Sequence, residues 1–393
     1  LARTSPLHDR LKAKGACFGE AGGWERANWF APDGVEAKYE YSYKRQNWFA
    51  HSGREHMAIR EGVGLLDQTS FAKFLLQGRD AESVLNQVCA NNVSVPVGKI
   101  VYTQWLNERG GIEADLTITR LADDSYMVVT AFSSALKDFN WLKSHIPADA
   151  HAVLTDVGSG LAMVSIMGPK ARDLLQTLTP ADLSNESFPF ATSHEIELGY
   201  AMVRASRITY VGELGWELYI PTEFATGVYD AIVAAGESFG LQHVGMHAMN
   251  SLRTEKAYRH WGHDIAGDDT PVEAGLGFAV AWDKPGGFIG KEALLQQREN
   301  GVKKRLVQFA LDDPEPLMLH NEPIWRNDEI VGYITSGMFG HAVGKSLGMG
   351  YVENEGGVDA AYVNEGNYEI EVACERFPAT ASLKPFYDPK SER

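Results

Sequence analysis

Leu106-Asn107-Glu108-Arg109-Gly110-Gly111-Ile112-Glu113-Ala114-Asp115-Leu116-Thr117 decides how this chain folds. Val101 to Leu106 and Ile112 to Leu121 are apolar, β-rich runs on either side of a glycine turn. Tyr126 to Thr130 follows across a second turn, Ala122-Asp123-Asp124-Ser125, so the three runs predict an antiparallel meander. Asp115 falls shortly after the glycine turn, inside an apolar strand. A carboxylate there faces one side of a half-buried sheet and needs a partner or a ligand, because burying it unpaired is costly. The segment alone leaves two readings open, a buried structural aspartate and a ligand-facing one.

Moving outward, Phe74-Leu75-Leu76-Gln77 reads as a strand ended by Gly78, and Asp80 through Val88 as a helix with acidic residues in its first turn. Ser133-Ser134 caps a second helix running to about His145, with Pro147 beyond it. Phe74 to Ala81 resembles Val164 to Ala171: both read strand, glycine, helix, with Gly78 and Gly168 90 residues apart. That spacing suggests two related α+β lobes rather than a solenoid, whose period would be shorter.

Two further segments carry chemistry. Ile208-Thr209-Tyr210-Val211-Gly212-Glu213-Leu214-Gly215-Trp216-Glu217-Leu218-Tyr219 reads as strand, glycine turn, strand. Glu217, flanked by Trp216 and Leu218, is either a surface glutamate on a half-exposed strand or a carboxylate that grips an amidine-like edge, as in a pterin or guanine. Leu252 to Asp264 reads as a helix carrying Arg253, closed by Trp261-Gly262. For Glu255 and Lys256 a solvated helix face is expected. His260, His263 and Asp264 have a one-turn spacing that no second cluster completes, so a hydrogen-bonded polar face is expected there and no metal.

After the basic hinge Gly301-Val302-Lys303-Lys304, short strands (Leu306 to Leu311, Pro323 to Arg326, Ile330 to Thr335, Ile370 to Cys374) predict a small β-barrel or sandwich. Gly344-Lys345-Ser346 lacks the upstream glycine of a phosphate loop, and no G-x-G-x-x-G follows a strand, so no dinucleotide site is visible in the chain. Residues 1–45 are rich in glycine and aromatics without clear periodicity and read as an extension wrapped on a globular body. At 393 residues, two or three domains are expected. The net charge of −16 argues against nucleic acid and anionic membranes as partners. Three cysteines without a C-x-x-C pair argue against a disulfide framework or zinc ribbon and suit a reducing compartment. No apolar run is long enough to span a bilayer, and the N-terminus has no secretory apolar region. The start at Leu1 reads as a processed chain or a fragment.

In combination and in this order, these segments resemble the folate-binding aminomethyltransferase family, the T-protein of the glycine cleavage system. Arg60-Glu61-Gly62-Val63-Gly64-Leu65-Leu66-Asp67, Thr270-Pro271-Val272-Glu273-Ala274-Gly275-Leu276 and Phe288-Ile289-Gly290-Lys291-Glu292-Ala293-Leu294 extend the likeness from about residue 50 to the end. Gly15 to Glu20 and Gly23 to Phe30 resemble the half that follows the flavin domain in dimethylglycine dehydrogenase, sarcosine dehydrogenase and dimethylglycine oxidase, an extension expected to be missing from the free T-protein.

The resemblance implies an α+β, three-lobed cloverleaf with tetrahydrofolate at its centre: an extension over 1–45, a folate-binding domain of two α+β lobes over 46–300, and a C-terminal β-barrel over 301–393. It implies that Asp115, kept ionised, is the catalytic carboxylate beside the reactive pterin nitrogens, orienting the folate and assisting proton transfer. It implies that Tyr210, Glu217, Arg253 and Trp261 bind the cofactor, with Glu217 on the amino-pyrimidine edge. The implied activity is capture of the methylene unit of oxidised dimethylglycine or sarcosine as 5,10-methylenetetrahydrofolate, with FAD supplied by a separate or missing flavoprotein domain or subunit. The alternative is a standalone tetrahydrofolate-dependent demethylase of a sulfonium, quaternary ammonium or aryl ether. A folate-binding assembly factor of the iron–sulfur type would carry a Lys-Gly-Cys-Tyr segment, where this chain has Gly287-Phe288-Ile289-Gly290-Lys291. The expected setting is cytoplasmic, or the mitochondrial matrix in a eukaryote.

Overall fold

The computed structural model describes residues 2–392. The predicted meander is present as strands Ile100–Leu106, Ile112–Ala122 and Ser125–Thr130. Strand Ala72–Gln77 pairs with the last of these, and Val153–Asp156 completes a five-stranded antiparallel sheet. One face of this sheet carries Ala114, Leu116 and Ile118 into a core closed by helix Ala81–Val88 and by Leu142 of helix Ala135–Ser144. Because side chains alternate along a strand, Asp115 must project from the other face.

The second lobe repeats the first. Strand Leu161–Met167, helix Ala171–Gln176, and strands Ser193–Leu198, Ala201–Ser206 and Gly215–Pro221 follow in the same order, and again the last strand pairs with the first. The likeness of Phe74–Ala81 to Val164–Ala171 is therefore a structural repeat. Gly78 and Gly168 turn both chains with φ of 134° and 125°. In each case a Cβ would collide with a carbonyl oxygen, that of His151 or that of Gly62, so only glycine fits.

The lobes also exchange strands. Gly64–Asp67 precedes the first strand of lobe one but pairs with Leu161–Met167 of lobe two. Val153–Asp156 precedes the first strand of lobe two but pairs with Ala72–Gln77 of lobe one. Neither lobe completes its sheet without chain from the other.

Residues 16–30 form a regular hairpin, Ala16–Ala21 with Trp24–Phe30, turned by Gly22 and Gly23 in the left-handed region. The aromatics mask its alternation, because Leu7, Leu11, Ala16 and Ala27 enter the lobe-two core while Trp29 packs with Cys17 and Ala31 in a separate cluster. Residues 8–30 thus pack on the globular body as a short helix and a hairpin, while residues 31–45 carry no helix or strand.

The C-terminal lobe is a closed six-stranded barrel in the order Lys304–Leu311, Lys345–Glu353, Glu329–Gly340, Pro323–Arg326, Tyr368–Val372 and Glu375–Ser382. Gly344-Lys345-Ser346 enters a barrel strand, consistent with its rejection as a phosphate loop. Cys374 stands in the turn after its predicted strand, with φ of 69°.

Helix Met246–Glu255 runs between the lobes, and its end corrects two expectations. It stops at Glu255, with Ala257 at φ 53°, so Trp261-Gly262 does not close it. Glu255 and Lys256 are buried rather than solvated. Glu255 accepts Arg60 Nη2 at 2.8 Å and the Ala342 and Val343 backbone N–H groups at 2.8 and 3.1 Å, and lies 3.1 Å from His56 Nε2. One carboxylate thereby joins helix Phe49–Glu61, the inter-lobe helix and the barrel. Sequence pattern could not show this, because the burial comes from three distant segments.

A carboxylate-lined candidate site between the lobes

The two sheets meet through the faces that point away from their own cores. Met127 and Val129 of lobe one pack with Met163 and Tyr219 of lobe two. On lobe two, Trp216, Leu218 and Ile220 enter that lobe's core, so Glu217 and Tyr219 project toward lobe one. Asp115 and Glu217 thus face the same inter-lobe layer from opposite sheets.

Asp115 stands opposite Gln104 across the hairpin, and Gln104 Nε2 donates to its Oδ1 at 2.8 Å. Burial pushes the Asp115 carboxyl up to about 6, while the hydrogen bonds of Gln104 and Tyr102 and the charge of Arg259 pull it back. Asp115 is therefore mostly ionised at neutral pH yet close enough to its midpoint to exchange a proton. Gln104 Oε1 is buried and unpartnered, and a buried acceptor in that state is costly unless something donates to it.

Glu217 is buried between Ser206 and Ser165 on the flanking strands. Tyr219 donates to its Oε2 at 2.8 Å, yet burial raises its pKa to about 7. No cation pairs with it among the described residues.

Tyr210 is predicted in a strand but lies in the loop between Ala201–Ser206 and Gly215–Pro221, where Thr209 Oγ1 accepts the Val211 and Gly212 N–H groups. Its hydroxyl donates to the Arg259 carbonyl at 2.8 Å, and its ring stacks on Tyr258 at 6.1 Å. Burial pushes its hydroxyl pKa up, and Arg253, Asp264, Asp115 and Arg259 all act on it electrostatically.

Arg253 is occupied internally. It donates to Asn250 Oδ1, the Tyr258 carbonyl, Asp264 Oδ2 at 2.6 Å and Ser336 Oγ. Asp264 also accepts the hydroxyl of Thr335 and the N–H of His260, so its side chain is used in structure. The arginine thus ties the loop carrying Tyr258 to Asp264 to the barrel. Trp261 Nε1 donates to the Ile112 carbonyl at 2.9 Å, and Lys137 Nζ lies 3.6 Å over its ring. Trp261 is thereby fixed to the strand that bears Asp115.

Gln104, Tyr102 and Arg259 were missed by sequence reasoning. The alternation Tyr102/Gln104 against Val101/Thr103/Trp105 was the available signal, since pairing across the Gly110-Gly111 turn puts those two on the Asp115 face. A cleft of about 610 Å³ opens elsewhere, among Leu106–Glu108, Trp141, His145 and Gly286–Glu292, and contains none of these residues. Carboxylates whose pKa values are raised by burial, beside an orphaned acceptor, mark function better than an open groove. Among the described residues no His/Cys/Asp/Glu group could hold a metal ion, and no helix is long and apolar enough to cross a membrane.

Two repeated α+β lobes, a closed barrel and acidic groups facing an inter-lobe layer define an aminomethyltransferase-type fold. Residues 7–284 match the GCVT N-terminal domain, and residues 304–388 match the glycine cleavage T-protein C-terminal barrel domain. The chain belongs to this glycine cleavage T-protein family. The match begins at residue 7, so the leading hairpin falls inside the family domain rather than ahead of it.

The chain is 43% identical over its whole length to 4-methylaminobutanoate oxidase (formaldehyde-forming) of Paenarthrobacter nicotinovorans, of which it covers 47%. It is 38% identical to human mitochondrial sarcosine dehydrogenase, covering 100% of this chain and 47% of that protein. It thus spans about half the length of these relatives. The structure of glycine cleavage system aminomethyltransferase T from Bartonella henselae superposes with a TM-score of 0.84, covering 99% of each chain at 24% identity, which shows the fold.

Proposed function

We propose that the protein is the tetrahydrofolate-dependent transferase part of a flavin-linked demethylating system acting on dimethylglycine or sarcosine. The observation that carries this reading is the set of acceptors on the two facing sheets: Asp115, the unpartnered Gln104 Oε1, and Glu217 without a cation. A reduced pterin is rich in N–H donors and matches such a lining. The names of the relatives, one formaldehyde-forming oxidase and one sarcosine dehydrogenase, support N-methylated amino acids as the source of the one-carbon unit.

Tetrahydrofolate would supply the nitrogen pair that takes up the one-carbon unit, yielding 5,10-methylenetetrahydrofolate and water when the unit arrives as formaldehyde. Glu217 accepts two hydrogen bonds from the amino-pyrimidine edge and sets the ligand's register. Gln104 Oε1 takes a further N–H. Asp115 accepts the proton released as the nitrogen forms its bond to carbon, which its raised pKa suits. Arg253 and Trp261 act as positioning residues, holding the 258–264 loop and strand Ile112–Ala122 in register. Layering the ligand between two sheets excludes water from the electrophile. FAD chemistry belongs to a separate or missing flavoprotein domain, and a soluble compartment, cytoplasmic or the mitochondrial matrix, suits the reading.

Anaerobic calorimetric titration with tetrahydrofolate tests it, followed by product analysis with formaldehyde. Saturable binding and methylene-tetrahydrofolate support the reading. No binding by folded protein overturns it, and a methyl-tetrahydrofolate product from a methylated donor would favour the standalone demethylase.

A further inference from the structure

Arg26 lies on hairpin strand Trp24–Phe30, and its guanidinium stacks 4.0 Å over the ring of Phe132 from lobe one. Its Nε is buried and makes no hydrogen bond, and the guanidinium has no ion pair among the described residues. The other arginines near the site are spent: Arg253 on Asp264, Arg259 on the Ala257 and Ala274 carbonyls, and Arg60 on Glu255 and Glu213.

The polar side chains that follow it along the hairpin are neutral. Asn28 stands at a bulge in the same strand beside Gly19, the cross-strand partner of Arg26, and its Nδ2 donates to Tyr39 Oη, which is 2.9 Å from His247 Nε2. Phe132 meets Phe71 edge-on at 6.5 Å, and Phe71 packs against Met127, Val129, Met163 and Tyr219, which places Arg26 at the margin of the inter-lobe layer. The nearest acid is Glu20, whose Oε1 is turned to the Gly23 N–H at 2.6 Å. Burial lowers the Arg26 pKa to about 10, so it remains charged at neutral pH.

Arg26 is half-buried: its Nε is buried without a partner while the outer nitrogens of the fork stay accessible, which is the state a ligand's carboxylate can complete. Its planar fork matches a carboxylate bidentately, and Phe132 fixes the plane of that fork. We propose that Arg26 is the carboxylate-binding residue of the inter-lobe site. The assignment rests on the reading under Proposed function. A carboxylate can arrive there from two sources, the glutamate tail of the folate or the carboxylate of the N-methylated amino acid donor.

The variants Arg26→Met, which keeps the length of the packed stem, and Arg26→Lys, which keeps the charge, are titrated with three probes. These are tetrahydrofolate, 6-methyltetrahydropterin (which has no glutamate) and sarcosine, with sarcosinamide as the uncharged control. If the tail is the ligand, Arg26→Met weakens tetrahydrofolate roughly ten- to hundredfold, leaves 6-methyltetrahydropterin unchanged, and Arg26→Lys recovers part of the loss. If the donor is the ligand, the same loss falls on sarcosine and not on sarcosinamide. Unchanged affinity for both carboxylate ligands overturns the assignment, as does an equal loss for 6-methyltetrahydropterin, which would mark a structural role. Failure of the unmodified protein to bind even 6-methyltetrahydropterin would instead overturn the folate reading itself.

Discussion

Gln104 Nε2 donates to Asp115 Oδ1 at 2.8 Å, while the Gln104 Oε1 on the same amide stays buried with no donor. One end of the amide restrains the proposed catalytic carboxylate, and the other is left for a ligand. The pair is aligned by strand register across the Gly110-Gly111 turn, not by sequence proximity.

Gln104→Leu removes the hydrogen bond that holds the Asp115 pKa down. The midpoint of the pH–rate profile should move up from about 6 by roughly one unit. A pH series of product formation at saturating tetrahydrofolate measures it, and an unmoved midpoint would detach Gln104 from the chemistry.

Asp115 and Glu217 should separate kinetically. Asp115→Asn should lower turnover by roughly 10²–10⁴-fold with tetrahydrofolate affinity nearly intact. Glu217→Gln should weaken that affinity by roughly ten- to hundredfold, with turnover at saturation largely kept. Calorimetry and single-turnover rates distinguish the two, and equal loss of affinity from both would contradict the division of roles.

Glu217 also makes stability depend on pH. Its folded pKa, about 7, lies above the usual carboxylate value of 4.5, so the neutral form is favoured in the fold. Stability is then fullest below about pH 4.5 as far as this group is concerned, and falls as pH rises through 7. Glu217→Gln should be more stable than the unmodified protein at pH 8, by at most about 3 kcal/mol, with the gain shrinking as pH falls from 7 and vanishing only below about pH 4.5. Urea melts at both pH values read this out, and tetrahydrofolate affinity should rise over the same range as the carboxylate ionises.

Glu255→Gln leaves Arg60 and His56 buried without their carboxylate and should cost about 3–5 kcal/mol. Because Glu255 also caps the Ala342 and Val343 N–H groups, the barrel should melt apart from the lobes. A second transition in calorimetry is the expected signature, and a single unchanged transition would show that the junction is held by packing alone.

Gly78→Ala and Gly168→Ala should each cost about 1–3 kcal/mol, since both sites combine a left-handed backbone with a carbonyl in the space of the new Cβ. Gly199→Ala is the control: its φ is 63° but nothing lies within 4 Å, so its cost should be nearer 1 kcal/mol. Equal destabilisation at all three would mean that backbone conformation, not crowding, sets the cost.

The local rules of turn and alternation made much of this protein legible in one dimension. The Gly110-Gly111 turn and its flanking apolar runs determined the meander and the outward face of Asp115. The strand–glycine–helix likeness at Gly78 and Gly168 determined the paired lobes, since both demand the same left-handed bend. The short strands after residue 303 determined an all-β tail, although two of the six barrel strands, Lys345–Glu353 and Glu375–Ser382, went unread. Other features depended on partners far along the chain. Only the tertiary structure exchanged Gly64–Asp67 and Val153–Asp156 between sheets, because nothing local says which neighbour a strand will join. It alone buried Glu255 against Arg60, ended its helix early, and turned the aromatic opening into a hairpin that carries Arg26 to Phe132. Burial and charge pairing are properties of three-dimensional neighbours, so the protonation of Asp115 and Glu217 could be set only once both sheets had closed over them.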